Sequence, residues 1–199
     1  MEKELNRWYR KLWETKGCRF IAAKRYDRLD RYSTITIHIM SAYLLCANLI
    51  ILLPNRHPIL SNENLNFFSI CASIILLVVS LHIPSRKYNE LSHKFHSCAR
   101  EINLLYDKVC YWKNNIDIVE NKDILKLIND YNLILHNYDI NHSKYDYHIF
   151  KIENSTEYKF NFKFFFSIKT YFANFFMYYL IYFLALICPI AIFVILMNI

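Results

Sequence analysis

Two stretches without a single Asp, Glu, Lys or Arg, residues 34–53 and 66–84, constrain this chain more than any other feature. Each is close to the roughly 20 apolar residues that a helix needs to cross a ~30 Å hydrocarbon core. Residues 54–65 between them hold Pro54, Asn55, Pro58, Ser61 and Asn62, a composition that suits a tight turn. The pattern predicts a transmembrane hairpin.

The rest of the composition agrees. A chain that is 55% hydrophobic and 21% charged must segregate the two kinds of residue along its length. One glycine and four prolines exclude an all-β protein, whose many special turns would need more of them. The expected fold class is all-α: an integral membrane helical protein with a transmembrane hairpin, a third C-terminal span and a cytoplasmic helical bundle. The net charge of +7 could point to nucleic acid, but its distribution argues otherwise. Lys3, Arg7, Arg10, Lys11, Lys16, Arg19, Lys24, Arg25, Arg28 and Arg31 precede the first apolar stretch, Arg56 alone lies in the connector, and cations return at Arg86 and Lys87. This is the positive-inside asymmetry, which puts the amino terminus and residues 85–170 in the cytoplasm. The basic excess then serves topology and contact with anionic lipid, and no direct nucleic-acid binding is expected. Six cysteines, without a CxxC or a framework spacing, are expected to be reduced thiols. The start, MEKELNRWYRK, lacks the apolar core of a signal peptide.

Residues 2–16 predict an amphipathic helix with Leu5, Trp8, Tyr9, Leu12 and Trp13 on one side, suited to a membrane surface or to packing on a partner helix. Gly17 is expected to interrupt it, with the helix resuming at Cys18 and running into the first span. After the second span, Tyr88, Leu91, Phe95, Cys98, Ile102, Leu105, Val109 and Trp112 step alternately by three and four, the a/d seam of a coiled coil. That seam needs a facing helix, either residues 20–29 of the same chain or the same helix of another subunit. Asn114–Asn115 should end this helix, Asn121 cap a next one to about residue 138, and Asn141 or Asp139 cap a shorter one through Lys151. Lys159, Lys163 and Lys169 alternate with Phe160, Phe162 and Phe164–Phe166 before a third charge-free stretch, residues 171–196, with Pro189 a candidate kink. The divisions expected are 1–33, 34–84, 85–170 and 171–199.

Polar groups in lipid are costly, so their positions inform. His38, Ser41 and Asn48 share one helical face of the first span, and Ser69, Ser73 and Ser80 form a narrower stripe on the second. Such stripes either pack helices together or line a water-filled path in an oligomer, which makes these six the pore-lining candidates. His93, His96 and Cys98 superficially suggest a metal, but at i, i+3 and i+5 they cannot all face one ion. His142, Asp146 and His148 come with no nucleophile whose geometry can be argued, and no glycine loop exists for phosphate. No metal, no cofactor and no enzymatic activity are expected.

Trp8 and Trp13, then AAKRYDRLDRYSTITIHIMSAYL at 22–44, then the second span running into LSHKFHSCAREINLLYDKV, resemble the SLATT family, the SMODS- and SLOG-associating two-transmembrane effectors of bacteria. YNLILHNYDINHSKYDYHIFK at 131–151 resembles the subgroup associated with reverse transcriptases. Arg25, Tyr26, Arg28 and Arg31 match the basic stretch before the first span, and Asn141, His142 and Asp146 match the later motif. The resemblance implies an antiviral-defence effector that oligomerises and permeabilises the bacterial inner membrane when triggered, halting host growth. It implies as partners the lipid bilayer, further copies of the chain and a regulator, a reverse transcriptase or a nucleotide-signal sensor. The amino terminus is then cytoplasmic and the carboxyl terminus outside. The third span departs from the two-span pattern. The alternative function is a non-conducting membrane anchor that recruits a cytoplasmic partner, such as a reverse transcriptase.

Overall fold

The structure is a computed structural model that describes residues 1–52, 62–158 and 163–198. It is all-α, with no strand among the described residues. Helix α1 is Glu2–Ile51, α2 Asn62–Ser85, α3 Tyr88–Asn114, α4 Asn121–Tyr138, α5 Lys144–Glu153, α6 Lys163–Asn174 and α7 Leu180–Asn198. A short 3-10 turn, Ile116–Ile118, precedes α4, and a π turn, Phe175–Tyr179, joins α6 to α7. Among the described residues two helices, Glu2–Ile51 and Asn62–His82, are long and apolar enough to cross a membrane. The connector prolines Pro54 and Pro58, and Lys159, Phe160 and Phe162, lie outside the described residues.

The chain divides into two compact units, Met1–Asp27 with Asn89–Ala173, and Arg28–Tyr88 with Asn174–Ile199. The line between the units falls inside one continuous helix, α1, which has no break at that point.

In the first unit the amphipathic start of α1 is a core element. Leu5, Trp8 and Leu12 are buried with Cys98, Ile102, Val109 and Trp112 of α3 and Ile124, Leu127, Tyr131 and Ile134 of α4. Of the expected seam, Phe95, Ile102, Val109 and Trp112 are buried, whereas Tyr88, Leu91 and Leu105 are half-buried. The 20–29 stretch accounts for only one end of the seam, where Ala22, Ala23 and Tyr26 meet Phe95. The longer part faces residues 5–12 and α4. The chain's own helices thus occupy this face, and it is not an open surface for assembly.

Gly17 does not interrupt α1. A Cβ at this position would run into the ring of Phe150, which is buried beside Cys18, Ile21 and Ile149. The missing side chain is what lets α5 approach the helix, and Phe150 meets Trp13 edge-on at 4.7 Å between centroids.

The caps differ from those expected. Glu120, not Asn121, occupies the N-cap of α4, where its backbone N–H donates to Asp123 Oδ2 at 3.0 Å. Asp139 ends α4 in the left-handed region, φ 41°, with its N–H returned to the Leu135 carbonyl. Ser143, rather than Asn141 or Asp139, caps α5. Asx residues and serine compete for such positions because each can bond nearby backbone. Here Asp146 three residues on decides for Ser143 through a reciprocal capping box.

In the second unit α1 and α2 pair through Leu44, Ala47, Phe68 and Ala72. Tyr179, at the end of the π turn, meets Tyr32 edge-on at 5.5 Å, and the Tyr182 and Tyr88 hydroxyls are hydrogen-bonded. Farther along, Ile190 joins Tyr43, Ala47, Ile50, Leu65 and Phe68 around an apolar groove of about 160 Å³. Helix α7 therefore follows the hairpin from its Tyr32–Tyr88 end toward its connector end. The departure from α geometry before α7 lies at Phe175–Tyr179, and the helix continues through Pro189.

Candidate functional site

The polar chemistry of the first unit centres on Arg25. Its side chain is 2% exposed and that of Asp146 is 0%, although 121 residues separate them. Arg25 Nε donates to Asp146 Oδ1 at 2.8 Å and Nη2 to Oδ2 at 3.0 Å, the two-pronged geometry that makes guanidinium–carboxylate pairs strong. Oδ2 also accepts from the Ser143 backbone N–H at 2.9 Å and from its hydroxyl at 2.8 Å. The capping box of α5 thus fixes the carboxylate that α1 grips. The Arg25 guanidinium lies over the Tyr26 ring at 4.3 Å. Two charges out of water cost several kcal/mol each unless paired this well.

A second buried guanidinium lies near by. Arg19 is 3% exposed. Its Nη1 donates to Cys98 Sγ, while its Nε has no hydrogen-bond partner. Burial pushes the Cys98 thiol up against the opposing pull of Arg19, and burial raises the Cys18 thiol to about 12. Neither thiol is set up as a nucleophile, which needs a depressed pKa. His142 has a buried Nδ1 without a partner. Its pKa is lowered, first by burial and then by Arg19, with Asp146 pulling the other way. The cluster holds two guanidiniums against one carboxylate and is structural in character.

Of the motif residues, the fold unites Arg25, Tyr26 and Asp146, with His142 close enough to feel Asp146. It leaves Arg28, Arg31 and Asn141 exposed. Among the described residues, no group of three or more His, Cys, Asp or Glu could hold a metal ion.

The spans present their polar residues differently. His38, Asn48 and Ser73 are exposed, whereas Ser41, Ser69 and Ser80 are half-buried. Three of the hydroxyls turn back on their own helices: Ser41 donates to the Ile37 carbonyl at 2.9 Å, Ser73 to Ser69 at 2.7 Å and Ser80 to Leu77 at 2.9 Å. The Ser69 hydroxyl is buried without a partner. No hydrogen bond joins the two stripes, and neither His38 nor Asn48 has a hydrogen-bond partner among the described residues. The polar residues the chain does bury on the first span are Ser33 and Thr36, bonded to the Asp30 and Tyr32 carbonyls. Sequence reasoning missed them. Their spacing of three on the face that continues to Met40 and Ala47 was the available signal.

Two helices among the described residues are long and apolar enough to cross a membrane, and the family comparison describes a two-transmembrane effector domain. Residues 1–195 match the model of SMODS and SLOG-associating 2TM effector domain family 5. The chain belongs to this SLATT family. Comparison with curated proteins and with solved structures gave no match. Membership makes the chain an antiviral-defence membrane effector at the level of the family, and the two apolar helices agree with a membrane protein.

Proposed function

We propose that this SLATT chain oligomerises in the bacterial inner membrane and, when triggered, permeabilises it and halts growth of the host cell. The observation that carries the reading is the outward placement of His38 and Asn48. Both lie in a helix segment free of charges, both are exposed, and neither has a hydrogen-bond partner among the described residues. Polar side chains at membrane depth face protein or water rather than lipid. The amino terminus and the charged helices lie in the cytoplasm, as the flanking cations direct. Helix α7 makes a third crossing, so that the carboxyl terminus lies outside.

The Arg25–Asp146 pair supplies the trigger point. Arg25 belongs to the same continuous helix that carries His38 and Asn48, and a regulator, a reverse transcriptase or a nucleotide-signal sensor, acts by binding better to the state in which α5 has released α1. A ligand shifts such an equilibrium only by its difference in affinity for the two states. No catalysis and no cofactor enter.

The test is membrane potential and dye exclusion after induction of the full chain together with its cognate trigger. Depolarisation that is lost in a His38→Ala, Asn48→Leu double variant is the expected result. Full potential with the trigger present would defeat the proposal and leave the chain a non-conducting anchor for a cytoplasmic partner.

A further inference from the structure

The outward faces of the two spans have the same periodicity and different chemistry. On α2 the exposed residues Phe67, Ile70, Ile74, Leu77 and Leu81 step by three and four and are all large and apolar, with Asn66 near the start of the helix and Ser73, bonded to its own helix, exposed beside them. Such a face is fully accommodated by lipid tails. On α1 the exposed residues Ile35, His38, Ala42, Leu45 and Leu49 step by three and four in the same way. This second stripe holds an imidazole and a methyl-sized residue, and the Asn48 carboxamide flanks it.

We propose that this stripe of α1 is the contact with α1 of a second copy of the chain, packed parallel. The proposal rests on the reading of α1 as a membrane span in an oligomer, and it names the surface where copies meet. The occupant follows from the chemistry of the stripe. Lipid tails offer Asn48 and His38 no hydrogen bond. Copies inserted with one orientation, set by the same flanking cations, are related by rotation about the membrane normal, which brings each residue near its own counterpart. A carboxamide has both donors and an acceptor, and a neutral imidazole has one of each, so both can pair with a copy of themselves. His38 and Asn48 stand ten residues apart, ~15 Å along a helix, and so fix the register at two levels. Ala42 between them lets the backbones approach, as small residues do in membrane helix pairs.

The experiment uses the full chain in its native membrane, with Cys46, Cys71 and Cys188 replaced by alanine. Ala42→Cys and Ile74→Cys are each added separately, followed by oxidation. A disulfide dimer from Ala42→Cys and none from Ile74→Cys is expected. In sedimentation equilibrium of the detergent-solubilised chain, Asn48→Leu should weaken self-association about three- to fifteen-fold, the span of measured interhelical hydrogen bonds, and Asn48→Gln should restore much of it. Ala42, Asn48 and Ile74 are exposed on α1 and α2, and unchanged tryptophan fluorescence shows that the variants fold. Dimers through Ile74→Cys alone, or a chain that stays monomeric, would overturn the proposal. Permeabilisation without the Ala42→Cys dimer removes only this contact, whereas the dimer without permeabilisation removes only the effector mechanism.

Discussion

The unit of Met1–Asp27 and Asn89–Ala173 meets the cost of its buried charge inside the chain, while the unit of Arg28–Tyr88 and Asn174–Ile199 turns its two demanding polar side chains outward. In the first, Arg25 and Asp146 are drawn together from 121 residues apart and Ser143 completes the carboxylate's partners. In the second, the hydroxyls of Ser41, Ser73 and Ser80 bond their own helices, and His38 and Asn48 have no hydrogen-bond partner among the described residues. The difference follows from the solvent. In water an exposed asparagine costs nothing and a buried arginine must be paired. In lipid the exposed asparagine is the group that lacks a partner. The first unit therefore pairs its buried carboxylate within the chain, and the second leaves His38 and Asn48 without a partner among the described residues.

The sharpest attack on this contrast is to unpair the first unit. Arg25→Met leaves the buried Asp146 carboxylate without its ion-pair partner, and losing one partner of a buried pair costs about 3–5 kcal/mol. Denaturation of the solubilised chain should show a loss of this size. Combining Arg25→Met with Asp146→Leu should recover most of it, since apolar replacement of both partners is often neutral. If the single variant were as stable as the parent, the pair would be an ornament of the fold and could not serve as a trigger point.

Gly17→Ala probes the same unit by volume instead of charge. The added methyl meets the Phe150 ring, which is held by Trp13 and Tyr158, so it cannot simply swing aside. Overpacking of this kind costs about 1–3 kcal/mol. The loss should appear in thermal melting, with a weaker hold of α5 on α1. A neutral result would mean that Gly17 had been left there for flexibility and not for contact.

How much of this was legible beforehand depends on the range of the physics. The helices, the two spans and the heptad stripe of α3 are local periodicities, and local periodicity is written in consecutive residues. Gly17 misled because a lone glycine reads as a break when its distant neighbour Phe150 is unknown. The caps misled because Asn121, Asp139 and Asn141 are all acceptable by type, and only the reciprocal bonds of Glu120 with Asp123 and of Ser143 with Asp146 decide against them. The family resemblance singled out Arg25 and Asp146 as separate motif residues, but their pairing is a tertiary fact that no spacing contains. For the spans, the sequence marked two polar stripes as equals. Only the path of each side chain separates them: Ser41, Ser73 and Ser80 bond carbonyls one turn back on their own helices, whereas the Ser69 hydroxyl, His38 and Asn48 have no partner among the described residues.

That separation yields the smallest expected effect. Ser73 is exposed on α2 beside a stripe of large apolar residues, and its hydroxyl is already bonded to the Ser69 carbonyl at 2.7 Å. Ser73→Ala removes that bond and leaves one carbonyl with its ordinary helical partner, a change worth about 0.6 kcal/mol or less in a membrane helix. Self-association and depolarisation should both stay at the parental level, where Asn48→Leu lowers the first. The two substitutions are alike in kind: each removes a small polar group from the exposed face of a span. If Ser73→Ala matched Asn48→Leu in either readout, the hydroxyl would be engaging a partner or a water path despite its intrahelical bond. The two outward faces would then have to be treated as one lining, with α2 brought into the contact now assigned to α1 alone.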